Sequence, residues 1–289
     1  MRALVRFVLF GVFLIMTAQA AAAQTRNVTL YAPQFVIGES EGVRWTTAVN
    51  YMNRSSHPVT YSYSAFSNQG KQLTVRDTSL SIGDVGEEQV VFGGMSPGSR
   101  DGSTFSYCID VRRSECTSIL QTGVLVFWTT ETRDPQSGQY ELDLAVSVRY
   151  QEQDIGTGNV LSVVGVDMSK PGKSFVVEAE IEPEKSGTRV GIALANPSIA
   201  LATVRMHLMD READRVAETS IAIQPDKQIA KFVDELFSNN PQVQAYLNRW
   251  GHLRGAYLKI VSDEPIIISG VGMRGKTMFQ VPVITGMME

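Results

Sequence analysis

The sequence predicts a mainly β protein: two tandem antiparallel β-sandwich domains of the immunoglobulin-like kind, the second with a short helical insertion. Three observations predict this. One strand pattern occurs twice in divergent form. Within the predicted strands, apolar and polar residues alternate with period two. Turn-forming residues separate the strands at short intervals, as in sandwiches and barrels.

Residues 1–23 have the layout of a secretory signal peptide. Arg2 and Arg6 make a positive start, Leu4 to Met16 a mostly apolar run, and Ala18 to Ala23 the small residues that cleavage requires. The run is shorter than the ~20 residues of a membrane helix. A secreted, periplasmic or cell-surface protein with no stable membrane span after cleavage is expected. The domains are then expected at 24–160 and 174–289, with 161–173 as a linker or shared strand.

The first copy begins with Ala48-Val49-Asn50-Tyr51-Met52-Asn53, a strand ending at an Asn. A short polar loop leads to Val59-Thr60-Tyr61-Ser62-Tyr63-Ser64-Ala65, where Val59, Tyr61 and Tyr63 oppose Thr60, Ser62 and Ser64. Such half-buried strands belong to antiparallel sheets with one wet face. A Gly- and Ser-rich stretch follows, holding Cys108 and Cys116. An even cysteine count in an exported chain predicts a disulfide between them. The copy closes with Gly123–Thr130, a turn at Asp134-Pro135, and Leu142–Tyr150, again alternating.

The second copy repeats this plan. Val190–Pro197 contains the strand-ending Asn196, Ala202–Leu208 alternates, and Gly255–Ser262, a turn at Asp263–Pro265 and Ile266–Met273 complete it. Ile229, Phe232, Val233, Leu236 and Phe237 recur at helical spacing, which predicts a helix over Gln228–Phe237. Asn240-Pro241 stops it, and Pro241 opens a second helix to about Trp250.

Asn196-Pro197-Ser198 with Ala202-Thr203-Val204, then Phe232-Val233-Asp234-Glu235-Leu236-Phe237, then Ser262-Asp263-Glu264-Pro265-Ile266, form a recognisable set. Over roughly residues 174–284 the chain resembles a largely uncharacterised family of exported bacterial proteins with tandem β-sandwich repeats. The resemblance implies the fold and export and no activity, since a fold does not fix a function.

Composition and motifs narrow the chemistry. Losing Arg2 and Arg6 leaves 24 of the 26 basic residues against 30 acidic ones, moving the formal charge from −4 to −6. No basic stripe for nucleic acid is present. Gly270-Val271-Gly272-Met273-Arg274-Gly275-Lys276-Thr277 matches the P-loop letter for letter. A strand-like Met278–Ile284 follows it, where a phosphate-binding loop needs a helix. A hairpin turn is the expectation, with Arg274 and Lys276 in solvent and no nucleotide cofactor. Gly94-Met95-Ser96-Pro97-Gly98 matches the nucleophile elbow, but the residue that must donate an N–H to the oxyanion is Pro97. The three histidines, His57, His207 and His252, lie far apart in sequence and lack acidic neighbours at ligand spacing, so no metal site is expected. No catalytic residue is assigned.

Tyr61, Tyr63, Phe66, Phe127, Trp128 and Tyr140 concentrate in the first copy, as sugar platforms or as core pairs. The expectation is an exported, non-enzymatic binding or scaffolding protein that meets an extracellular protein or glycan. A carbohydrate-binding module is the alternative, and a hydrolase with a loop-assembled site the third reading.

Overall fold

The computed structural model describes residues 24–68, 70, 72–73, 76–77, 91–106, 120–182 and 187–286. The signal-peptide reading of 1–23 and the disulfide expected between Cys108 and Cys116 lie outside the described residues.

The first sandwich runs β1 (Thr25–Ser40), β2 (Val43–Asn53), β3 (Val59–Ser67), β4 (Gln72–Leu73), β5 (Arg76–Asp77), β6 (Val91–Met95), β7 (Arg100–Ser106), β8 (Gln121–Arg133), β9 (Tyr140–Leu142), β10 (Leu144–Asp154) and β11 (Val160–Asp167). All pairings are antiparallel. One layer holds β8, β3, β4, β6 and β9, and the other β11, β10, β2, β7 and β5. Strand β1 joins them. It pairs with β8 along most of its length and with β2 at Gly38–Ser40. Its ladder slips between Ala32 and Phe35, around Pro33, which has no N–H to donate.

The inward positions form the core. Tyr51, Tyr61, Tyr63 and Phe127 meet there with Leu30, Phe35 and Leu125. Phe127 stacks on Tyr61 and Tyr63 at centroid distances of 5.4 and 5.9 Å. The buried Tyr61 hydroxyl donates to that of Tyr51 at 2.7 Å, so neither is stranded. Gly93 on β6 makes room for the Tyr61 ring, which would lie 2.3 Å from a Cβ there.

The second sandwich runs β12 (Gly172–Ile181), β13 (Thr188–Ala195), β14 (Ala202–Met209), β15 (Arg215–Ile223), β16 (Gln228–Phe232), α1 (Val233–Leu236), α2 (Pro241–Trp250), β17 (Leu253–Arg274), β18 (Thr277–Val281) and β19 (Val283–Thr285). The first half of β17 pairs with β12 and β14, and its second half with β13 and β18. Phe175, Leu194, Met206, Leu258 and Ile260 build its core, closed by Val233 and Phe237 from the helical segment and Val243 from α2.

The duplication is visible bond by bond. In the first copy Asn53 donates from Nδ2 to the carbonyls of His57 and Met95, and its Oδ1 accepts from the Ser55 N–H. In the second, Asn196 donates to the carbonyls of Ala200 and Ile223 and accepts from the Ser198 N–H. Around them, Gly98 N donates to Asn53 O as Asp226 N does to Asn196 O, and Asn53 N to Ser99 O as Asn196 N to Lys227 O. Strands β2, β3, β6 and β7 therefore correspond to β13, β14, β15 and β16.

Four expectations change. Gln228–Phe232 is an edge strand on β13, and the helix covers only Val233–Leu236. Here β pairing outweighs a helical spacing whose first two members, Ile229 and Phe232, are only half-buried. No turn forms at Asp263–Pro265, because β17 runs on through it. Pro265 falls between the last β14 pair, at Ser262, and the first β13 pair, at Ile267, where neither strand asks for its missing N–H. The copies also align one residue away from the Gly123–Gly255 match: Tyr63 pairs with Phe127 as Met206 pairs with Ile260. Finally, β11 belongs to the first sheet, and the stretch joining the sandwiches is only residues 168–171.

Candidate functional site

The two sandwiches meet along a seam. Ala195 and Ile267, register partners on β13 and β17, pack with Val124 and Val126 on the outer face of β8. Val271 and Met273 further along β17 touch the first core, and Met278 of β18 is buried in it. The Met278 N–H donates to Ser162 Oγ on β11 at 2.7 Å. The connecting stretch is pinned as well, since Tyr31 and Ser169 exchange two backbone hydrogen bonds of 2.9 and 3.0 Å.

Two cavities open along this seam. The first, of about 250 Å³, is floored by Val124, Val126, Ala195 and Ile267. The first domain contributes three half-buried rings to it: Tyr31 from β1, Phe66 from β3 and Trp128 from β8. Pro197, Asp226 and Lys227 line the opposite wall. Burial first, and then the charge of Asp226, push the Tyr31 hydroxyl pKa up, so it stays a neutral donor at physiological pH. The second cavity, of about 340 Å³, lies between Trp45, Tyr150 and Val36 on one side and Phe232, Met273 and Met278 on the other.

The aromatics singled out in the sequence therefore divide. Tyr61, Tyr63 and Phe127 are core. Tyr140 packs under the Arg26 guanidinium, 3.8 Å from its ring centroid. Phe66 and Trp128 alone reach the first cavity, joined there by Tyr31, which sequence reasoning missed. The three come from three strands far apart in the chain, and only the outward phase of Trp128 beside inward Phe127 hinted at the arrangement.

The polar candidates stay separate. His57 Nε2 lies 3.8 Å from Asp143 Oδ2, and Asp143 also accepts from Thr130 Oγ1 at 2.5 Å. His207 faces Glu218 at 3.4 Å on the cross-strand pair of β14 and β15, and His252 is exposed. Among the described residues no group of three or more His, Cys, Asp or Glu is placed to hold a metal ion. The P-loop match spans the end of β17, a two-residue turn at Gly275-Lys276, and β18, with Gly275 at φ 59° and Arg274 and Lys276 exposed. The elbow match is the tight turn from β6 to β7, with Gly98 at φ 72° and the Ser99 N–H donating to Ser96 O. Among the described residues no helix is long and apolar enough to cross a membrane.

No family model matches the chain, and no curated protein matches it. Among solved structures, one similarity is to a β-glucuronidase from glycoside hydrolase family 2, at 7% identity and a TM-score of 0.18. It covers 86% of this chain and 24% of that one, and at this level it carries no argument about activity.

Proposed function

We propose that the protein is an exported, non-enzymatic binding protein that holds a segment of an extracellular protein partner in the first seam cavity. One observation carries this: three half-buried rings on the outer face of the first sandwich, left open to solvent where the second sandwich stops covering them. Half-exposed aromatics around a small apolar floor are what buried anchor residues of a partner fill. The signal-peptide pattern and the resemblance to exported tandem-sandwich proteins support the export half of the reading. The carbohydrate alternative keeps Trp128 and Tyr31 as stacking rings but loses Tyr61, Tyr63 and Phe127, which are stacked in the core.

The test is a photoreactive benzoyl-phenylalanine at position 66 in cells that export the protein, with position 205 on an exposed strand face as control. A discrete adduct from 66 and none from 205 is expected, and identical adducts from both overturn the reading. Sugar binding on a glycan array that disappears in Trp128→Ala favours the carbohydrate module. Turnover in a broad hydrolase screen overturns the non-enzymatic assignment.

A further inference from the structure

The two copies differ at one backbone position that bears on the cavity. The turn after β6 places Gly98 at φ 72°, and the matching turn after β15 places Asp226 at φ 56°. The bonds on each side are the same: Ser99 N to Ser96 O and Lys227 N to Gln224 O, Gly98 N to Asn53 O and Asp226 N to Asn196 O. Glycine occupies the left-handed region without penalty, whereas a residue with a Cβ is disfavoured there. The second copy therefore keeps a carboxylate-bearing residue at a turn position where the first has only glycine. Asp226 also stands opposite Gly70 of the first domain, where an added Cβ would come within 3.1 Å of the Asp226 Cβ, so this residue borders the seam.

Tyr31, Phe66 and Trp128 line the same cavity as Asp226. Ring faces attract cations, and a guanidinium stacks flat on them while its fork pairs with a carboxylate. We infer that the seam cavity takes an arginine side chain of the partner, stacked on the rings of Trp128 and Tyr31 and paired with Asp226. This rests on the protein-binding reading above and specifies its ligand. Lys227 lines the same mouth with the opposite charge, so an anionic probe belongs in the test.

The probes are end-blocked pentapeptides Gly-Gly-X-Gly-Gly with X as Arg, Lys, Leu or Glu. Binding is followed by the NMR shift of the Trp128 indole N–H, assigned with Trp128→Phe. The Arg peptide is expected to bind most tightly, and Asp226→Asn to weaken it about tenfold, the loss of one charge-assisted contact. Asp226→Gly separates binding from folding. It should lose affinity as Asp226→Asn does, yet melt at a higher temperature, because glycine relieves the backbone. Tightest binding by Leu or Glu, no shift with any peptide at millimolar concentration, or unchanged Arg affinity in Asp226→Gly would each overturn the inference. If the peptides fail while the adduct from position 66 persists, only the arginine specificity falls. If both fail, the protein-binding reading falls with it.

Discussion

Asn53 and Asn196 hold the matching loops of the two copies. Each is 1% exposed, and each satisfies two carbonyls from one amide group, one in its own loop and one at the end of a distant strand. Removing the amide takes this donor from the Met95 or Ile223 carbonyl inside the protein, while the loop carbonyl keeps the Ser55 or Ser198 hydroxyl, and the loss of a buried partner costs more than the net value of the bond. Asn196→Ala should therefore lower stability by about 2–4 kcal/mol in denaturant unfolding. Ser198→Ala removes only a half-exposed hydroxyl and should cost well under half of that. Glu152 shows the opposite case. It is 8% exposed on β10, and burial raises its carboxyl above the ordinary 4.5. A carboxyl that binds its proton more tightly when folded adds stability at acid pH and loses that contribution as pH rises through the folded value. Glu152→Gln should raise the melting temperature at pH 7 and do nothing below about pH 4. Equal effects at both pH values would show that the gain is not electrostatic.

At the scale of elements, the strands were the legible part. Period-two alternation marks Val59–Ala65 and Leu142–Tyr150 because one face of each is buried and the other wet, and nothing in those strands competes with it. The duplication was legible for the same reason, although its register was not. The Gly123–Gly255 match is one residue out, because each glycine answers a local constraint rather than a shared one. Gly255 sits at φ 66° in β17, whereas Gly123 lets Phe66 of β3 come so close that a Cβ would lie 1.8 Å from its carbonyl oxygen. Backbone cannot retreat as a side chain can. Gly123→Ala should therefore break the end of the β3–β8 ladder and lower the melting temperature sharply, whereas Gly165→Ala, which meets nothing within 4 Å, should be close to neutral. The helix expected over Gln228–Phe237 shortens to Val233–Leu236 because edge pairing of five residues leaves no periodic trace of its own. The cavity was illegible for a topological reason: Tyr31, Phe66 and Trp128 become neighbours only when β1, β3 and β8 pair, and the opposite wall arrives from another domain.

At the scale of the whole molecule, the question is what holds the two sandwiches at the angle that shapes the cavity. Besides the apolar seam, one carboxylate ties the join together. Glu131 on β8 is 2% exposed and accepts hydrogen bonds from Arg26, near the start of β1, and from Lys170, in the stretch between the domains. Burial alone would raise its pKa, but the hydrogen bonds and charges of Lys170 and Arg26 outweigh burial and hold it below the ordinary 4.5. The sign follows from linkage. A carboxyl with a depressed folded pKa contributes stability above its unfolded value and loses it as pH falls through the folded one. Arg26 and Lys170 are 56% and 44% exposed, so water screens the pair and the full penalty of a broken buried ion pair does not apply. Glu131→Gln should cost about 1–3 kcal/mol at pH 7, and the difference from the parent protein should shrink as pH falls below about 4. Because Lys170 neighbours Ser169, which is bonded to Tyr31, the same substitution should loosen the wall of the cavity. Amide exchange at Tyr31 and Ser169 should then speed up while exchange at Phe127, deep in the first core, stays protected. Loss of protection at Phe127 to the same degree would mean that Glu131 supports the first sandwich as a whole and not the join.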